Sequence, residues 1–340
     1  MGVGGVADFE EINGGQIEIV SGTFTKDPSD YLADRSVIVE GTTYTVVHSV
    51  LGVEISRTQT EYFSDLKSAF DYVQNLEGDN YVIDVLEDFE FKVDNGRYIT
   101  LNKGKNITLN LNGHHVHGIM DAHETITSWA EMIYVKNGHF IVEDLSGDET
   151  GIMSFEQINP EPKTWYGNYM INVQSGATFT LKSGTLTNNT KHSTFAIAVS
   201  VEIEGGTANI EGGKILGVNS TSCIRPYNSG TLNISGGYLS ATAYHMIFIQ
   251  QHESGSNKIE VNITGGEFEH LGGGHAISCF ATNVGQLRNC TVNINGGKLH
   301  VKNGLDSYEK NEDVYELLDK ILKDNPNTNQ TTSEGAVSAK

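Results

Sequence analysis

A nine-residue phrase returns along this chain, and its spacing limits the possible folds more than any other feature. ANIEGGKIL from Ala208, LNISGGYLS from Leu232, VNITGGEFE from Val261 and VNINGGKLH from Val292 align without gaps. FTLKSGTLT from Phe179 is a fifth copy, with Ser183 in place of the first Gly. LNLNGHHVH from Leu109 reads as a sixth, with His114 in place of the second. The grammar is apolar, polar, apolar, polar, Gly, Gly, any, apolar. Alternation of that kind is a strand with one buried face, and the Gly pair marks a corner where a Cβ is not tolerated.

A second strand series alternates with the first: EMIYV (131–135), YMINV (169–173), FAIAV (195–199), CIR (223–225), HMIFI (245–249) and HAISC (275–279). Glycines 184, 213, 237, 266 and 297 stand 29, 24, 29 and 31 residues apart, so each step holds two or three short strands and turns. No helical period lies between them, which excludes leucine-rich and βαβ repeats. A propeller blade wants about 40 residues and four strands, a poorer fit. The expected fold is all-β, a right-handed parallel β-helix whose coils stack about 4.8 Å apart.

A solenoid needs its ends covered. SDLKSAFDYVQNLEG predicts a cap helix over 64–77, with Leu66, Ala69, Phe70 and Val73 on one face, Ser64 as N-cap and Gly78 as stop. EDVYELLDKILKDNP predicts a second cap helix over 311–323, with Val314, Leu317, Leu318, Ile321 and Leu322 on one face. Residues 325–340 read as a polar, disordered tail. Residues 119–130 and 145–167 read as insertions hung on the coils.

The N-terminal stretch repeats part of the grammar. IEIVSGTFTKDPSDYLAD (17–34) is followed by RSVIVEGTTYTVVHS, a predicted hairpin, and then by SRTQTEYFSDLKSAFDYVQ, YVIDVLEDFEF and ITLNKGKNITLNLNGHHVHG. This order resembles repetitive pectate-lyase-like (pectin lyase-like) β-helix modules of large surface proteins of Gram-positive gut bacteria. Such modules open with a short cap helix, a TVTLLxDV-like strand and GKNITLDLNG, and close with SGGTFSxDPSxYLADGY. VEDLSGDETG (142–151) resembles another of their stock phrases. Arg35 after Asp34 departs from the Gly-Tyr pair of the pattern. The resemblance spans roughly residues 15–300. It implies secretion and cell-wall display beside neighbouring modules, and is nearly silent on activity. The expected organisation is the end of a preceding module over 1–58 and a β-helix domain over 59–324. On this reading the chain is one segment of a longer array, and MGVGG an added leader. Recruitment of 17–34 as an edge of the same solenoid is the other arrangement the sequence allows.

Composition narrows the chemistry. With 22 basic and 43 acidic residues the formal charge is −21, which excludes a binder of nucleic-acid backbone or of anionic membrane. No run of 18 apolar residues offers a membrane-spanning helix. Cys223, Cys279 and Cys290 lie in or beside apolar strands and read as buried thiols, with a Cys279–Cys290 bridge left open. Asn106, Asn188, Asn219, Asn233, Asn262, Asn289 and Asn329 begin Asn-x-Ser/Thr. The coil grammar itself generates the sequons at Asn233 and Asn262. Asn209, Asn233, Asn262 and Asn293 are expected to form an outward amide ladder instead.

His114, His115 and His117, near Asp121, His123 and Glu124, could hold zinc, but no ligand spacing supports a metal, and no cofactor is expected. His245 and His275 fall at one position of adjacent coils. Glu143, Asp144, Glu202 and Glu204 are acids on successive coils. A pair of carboxylates about 5 to 9 Å apart in a groove would point to a glycosidase. Only Arg225 and Arg288 lie in the coils between 130 and 300, which disfavours a lyase acting on an acidic polysaccharide. Aromatics carry more. The position after the central Ile reads Tyr134, Asn172, Ala198, Arg225, Phe248 and Ser278, with Trp129, Trp165, Tyr166 and Tyr227 in the flanks. Glycan grooves and protein interfaces both favour such residues. Trp129, Tyr134, Trp165, Tyr166, Arg225, Tyr227 and Phe248 are therefore the expected binding set, with no catalytic residue assigned. The expected function is a non-catalytic surface adhesin for an extracellular glycan or host glycoprotein, antibodies included. A carbohydrate-active enzyme and a structural stalk are the alternatives.

Overall fold

The computed structural model describes residues 18–40, 43–56, 59–94, 96–121, 129–158, 166–190, 196–219, 222–242, 245–252, 257–271, 275–281, 289–300 and 303–307. Within them the chain is a right-handed parallel β-helix. Three parallel sheets climb through eight coils, and each coil contributes one strand to each sheet. The first face runs from Asn80–Val85 to Cys290–Ile294, the second from Phe89–Lys92 to Lys298–His300, the third from Gly96–Leu101 to Asn303–Ser307. We number the coils 1 to 8 from the N-terminal end.

Register explains the grammar. On the first face Phe179, Ala208, Leu232, Val261 and Val292 stack in one inward column, and Leu181, Ile210, Ile234, Ile263 and Ile294 in the next. Between them the amide ladder forms as expected. Asn293 Nδ2 donates to Asn262 Oδ1 at 2.8 Å, Asn262 to Asn233 at 3.0 Å, and Asn233 to Asn209 at 2.9 Å. The two glycines of a corner have different reasons. A Cβ on Gly265 would collide with the Ser235 carbonyl of the preceding coil, whereas Gly266 takes φ +87°. The same division holds at Gly236–Gly237 and Gly296–Gly297.

Three expectations are corrected by register. Leu109 stacks on Val142 and hence on the Ile263 column, not the Val261 column, so the sixth phrase is displaced by two residues. Its corner is correspondingly longer, with positive φ at Asn112 and Gly113 and an added buried Leu111. Residues 145–167 are not all insertion. Ile152–Ile158 is a second-face strand in register with His115–Asp121, and no Gly pair marks it in the sequence. The helix covers Leu66–Asn75 and is capped by Asp65, not Ser64: Asp65 Oδ1 accepts from Ser68 N at 2.8 Å.

That helix closes the N-terminal end of the rod. Leu66, Ala69, Phe70 and Val73 are fully buried, and Phe70 meets Phe140 edge-on at 5.8 Å, with Phe179 next below at 5.8 Å. The antiparallel hairpin Leu51–Ser56 and Gln59–Phe63 pairs with Asn80–Val85 and covers the edge of the first face. Upstream, Gly22–Phe24, Ser36–Glu40 and Tyr44–His48 make a separate three-stranded antiparallel sheet, which contains the expected hairpin. The second expected cap, 311–323, and the tail lie outside the described residues.

An ion-paired cleft on the third face

The third face breaks strict alternation. In coil 2 Met132 and Ile133 are both wholly buried, and in coil 3 Met170 and Ile171. Two successive inward residues bend the strand, because period-two geometry would turn one of them out. Outward columns on either side of the bend then share one open cleft of about 410 Å³. The column two residues before the central apolar position holds Arg97, Glu131 and Tyr169 in coils 1 to 3. The column just after it holds Thr100, Tyr134, Asn172, Glu202, Arg225, Phe248 and Ser278. Glu204 pairs in register with Gln174, and Tyr227 with Gln250, along the far edge.

The sequence reading named Glu202 only among the acids of successive coils and left it out of the binding set, as it did Arg97, Glu131, Tyr169 and Gln250. It took FAIAV as the strand centre and set Ala198 in the column, but Ala198 pairs with Asn168, and Val201 takes the central place. The third-face strand of coil 4 runs on to Glu204, so the repeat of apolar residues allowed two frames.

The cleft is wired by side chains from successive coils. Arg225 grips Glu202 with two donors, Nε to Oε2 at 2.5 Å and Nη2 to Oε1 at 2.7 Å, and both residues are buried, at 3% and 2% exposure. Nη2 also donates to the Tyr169 hydroxyl at 2.8 Å and Nη1 to Gln250 Oε1 at 3.1 Å. Above this, Arg97 Nε donates to Glu131 Oε2 at 2.8 Å, and Asn172 Nδ2 to Glu131 Oε1 at 2.6 Å. Gln174 Nε2 bridges Asn172 Oδ1 at 2.8 Å and Glu204 Oε2 at 2.9 Å. Rings line the cations: Arg97 sits 3.6 Å from the Tyr134 centroid, and Arg225 lies 5.1 and 5.0 Å from Tyr169 and Tyr227. Gly167 leaves room for the Tyr169 phenol, which a Cβ there would strike.

Burial sets the electrostatics. It pushes the Glu202 carboxyl up against the opposing pull of Arg225, and the Glu131 carboxyl up against Arg97 and Asn172. It pushes the Tyr169 phenol up to about 12. Burial pulls the Arg225 guanidinium down, but Glu202 and Tyr169 together, through charge and hydrogen bonds, more than reverse it, so the group stays charged at every working pH.

Of the expected binding set, the cleft gathers Arg225 and Tyr227, and Tyr134 lies beside it, 7% exposed beneath Arg97. Phe248 is half-buried in the same column with its ring 5.5 Å from His245. Trp129 and Tyr166 begin third-face strands and their side chains lie outside the described residues, as does Trp165 entirely.

On the second face, His115 Nε2 and His117 Nδ1 approach the buried Ser154 hydroxyl at 2.6 and 2.5 Å, and His114 Nδ1 approaches Asp88 at 3.3 Å. Burial, then the neighbouring His117, lowers the His115 pKa. His123 and Glu124 lie outside the described residues, and among those described no three potential ligands converge on a metal position. Cys223 is a buried thiol, pushed up to about 12 by burial. No protein-family model, no curated protein and no solved structure matches this chain.

Proposed function

We propose that the protein is a non-catalytic binding module that takes an extracellular glycan, free or on a host glycoprotein, in the third-face cleft. The observation that carries this reading is the cleft itself, where tyrosine rings and planar hydrogen-bonding groups from coils 1 to 6 are fixed in two adjoining networks, one through Glu131 and one through Arg225. Fixed donors and acceptors beside aromatic rings are what saccharide hydroxyls and ring faces require. Display on the wall of a Gram-positive gut bacterium, beside neighbouring pectate-lyase-like modules, belongs to the same proposal and rests on the module phrases of the sequence.

One observation favours a second reading. Glu131 and Glu202 line the same cleft, both with carboxyls raised by burial, the shift a general acid needs in a carbohydrate-active enzyme. Against it, Arg225 occupies both Glu202 oxygens, and Arg97 and Asn172 occupy both of Glu131. A glycan array and a reducing-sugar assay on the purified chain separate the readings. Binding without turnover, weakened by Tyr227→Ala with Gln250→Ala, supports the module. Turnover abolished by Glu131→Gln or Glu202→Gln supports the enzyme. Neither binding nor turnover leaves a stalk.

A further inference from the structure

Resting on the glycan-binding reading, we infer that the cleft selects neutral, hydroxyl-rich saccharide and rejects uronate, sialate and sulfated glycans. Its lining holds three carboxylates, Glu131, Glu202 and Glu204, against two guanidinium groups, Arg97 and Arg225. An anionic ligand has to recruit one of those cations. Arg225 is committed through Nε and Nη2 to Glu202, through Nη2 to Tyr169 and through Nη1 to Gln250. Turning it toward a ligand would strand the Glu202 carboxylate, which is 2% exposed. Arg97 is the more open of the two, its side chain 45% exposed, but it is tied by Nε to Glu131, whose side chain is 5% exposed, and its guanidinium is stacked on Tyr134, so an anion reaching it meets the Glu131 carboxylate beside it.

What the cleft offers outward is acceptor-rich. Glu204 is exposed at its edge, with one oxygen taken by Gln174. The Tyr169 oxygen already accepts from Arg225, so its own proton is what remains to give. Saccharide hydroxyls, which donate as readily as they accept, suit such a lining. A second carboxylate or a sulfate meets like charge in the cleft and across a chain of formal charge −21.

The test is affinity electrophoresis and biolayer interferometry of the full chain against dextran, galactomannan and xyloglucan, against polygalacturonate and chondroitin sulfate, and against chitosan. Wild type is expected to bind at least one neutral polymer about tenfold more tightly than either anionic one at low salt, with the neutral affinity unchanged at high salt. Glu204→Lys, a change at an exposed position, is expected to narrow that ratio by raising anionic binding, and Glu204→Gln to narrow it less. Anionic polymers binding as tightly as neutral ones overturns the selectivity and leaves the glycan-binding reading standing. So does chitosan binding that exceeds neutral binding and disappears with salt. No binding to any polymer, or binding indifferent to Tyr227→Ala with Gln250→Ala, overturns both.

Discussion

Replacing Arg225 by Met should be among the most damaging single changes in the rod, and the reason can be worked from contacts. The substitution keeps most of the apolar stem and removes the guanidinium. Glu202, 2% exposed, then loses donors at 2.5 and 2.7 Å to its two oxygens, the bonds that compensate its burial. A buried ion stripped of its partner costs about 3–5 kcal/mol. Glu202→Gln strands the cation instead and should cost a similar order. The double variant Arg225→Met with Glu202→Gln removes both charges and leaves only a neutral amide without its partner, so it should recover part of the deficit, to about 1–3 kcal/mol below wild type. pH supplies a second handle. Burial already raises the Glu202 pKa above its ordinary 4.5, and loss of Arg225 raises it further. A carboxyl with a raised folded pKa is best tolerated below the unfolded value and penalised as pH climbs through the folded one. The Arg225→Met deficit should therefore be largest near neutrality and shrink as pH falls toward 4.5. Urea unfolding followed by circular dichroism, at pH 7 and pH 5, measures all four corners of the cycle. A single variant as stable as wild type at pH 7, or a deficit that does not shrink at pH 5, would refute the picture of a charged, desolvated pair.

Three further outcomes follow from the coil. Gly265→Ala, which drives a Cβ into the Ser235 carbonyl, should destabilise by about 3 kcal/mol or more. Gly176→Ala, at φ +82° with open space around it, should cost about 1 kcal/mol, and thermal melts rank the two. Expressed in a glycosylating secretory host, the chain should carry no glycan at Asn233 or Asn262 once folded, because both amides sit in the ladder; peptide mass spectrometry of folded material reads this directly. Asp144 is pushed up by burial but held lower overall by backbone N–H donors from Gly151 at 2.6 Å, Gly113 at 2.8 Å and Ser146 at 3.1 Å. Its contribution is thus present above pH 3.8 and lost as pH falls through the lower folded value, and Asp144→Asn should flatten that acid limb of the stability curve.

The scaffold was legible because it is written in local rules. Val261, Ile263 and Phe268 alternate, Gly265 and Gly266 punctuate, and Asn262 repeats at a fixed place, so strand, corner and ladder follow from a few residues at a time. The second face was harder. IMSFEQI carries no Gly pair, and its strand is defined only by pairing with His115–Asp121 on one side and Thr185–Asn188 on the other. The cleft was hardest, because it is made across coils. Arg225 and Tyr227 could be picked out as outward residues, but Arg97 lies more than a hundred positions upstream, and nothing local ties it to Glu131. Glu202 was lost to a frame ambiguity between two apolar triplets in AIAVSVEI, which only the stacking of Val201 on Ile171 and Ile224 resolves.

The two-glycine corner carries a consequence for how such a chain can change over generations. The first glycine is shaped by the carbonyl of the preceding coil, and each coil from the fourth offers the next an equivalent carbonyl at the same place. From coil 4 onward the joints are interchangeable. Unequal recombination could add or delete a whole coil there, and the rod would lengthen or shorten by about 4.8 Å with every joint still fitted. The cleft has no such tolerance, since its bonds run between particular neighbours in coils 1 to 6. Duplication at coils 7 and 8 would alter reach alone, while duplication between coils 3 and 5 would part Tyr169 from Arg225 and take the cleft apart. The length of the rod and the make-up of its cleft are thus separately heritable traits.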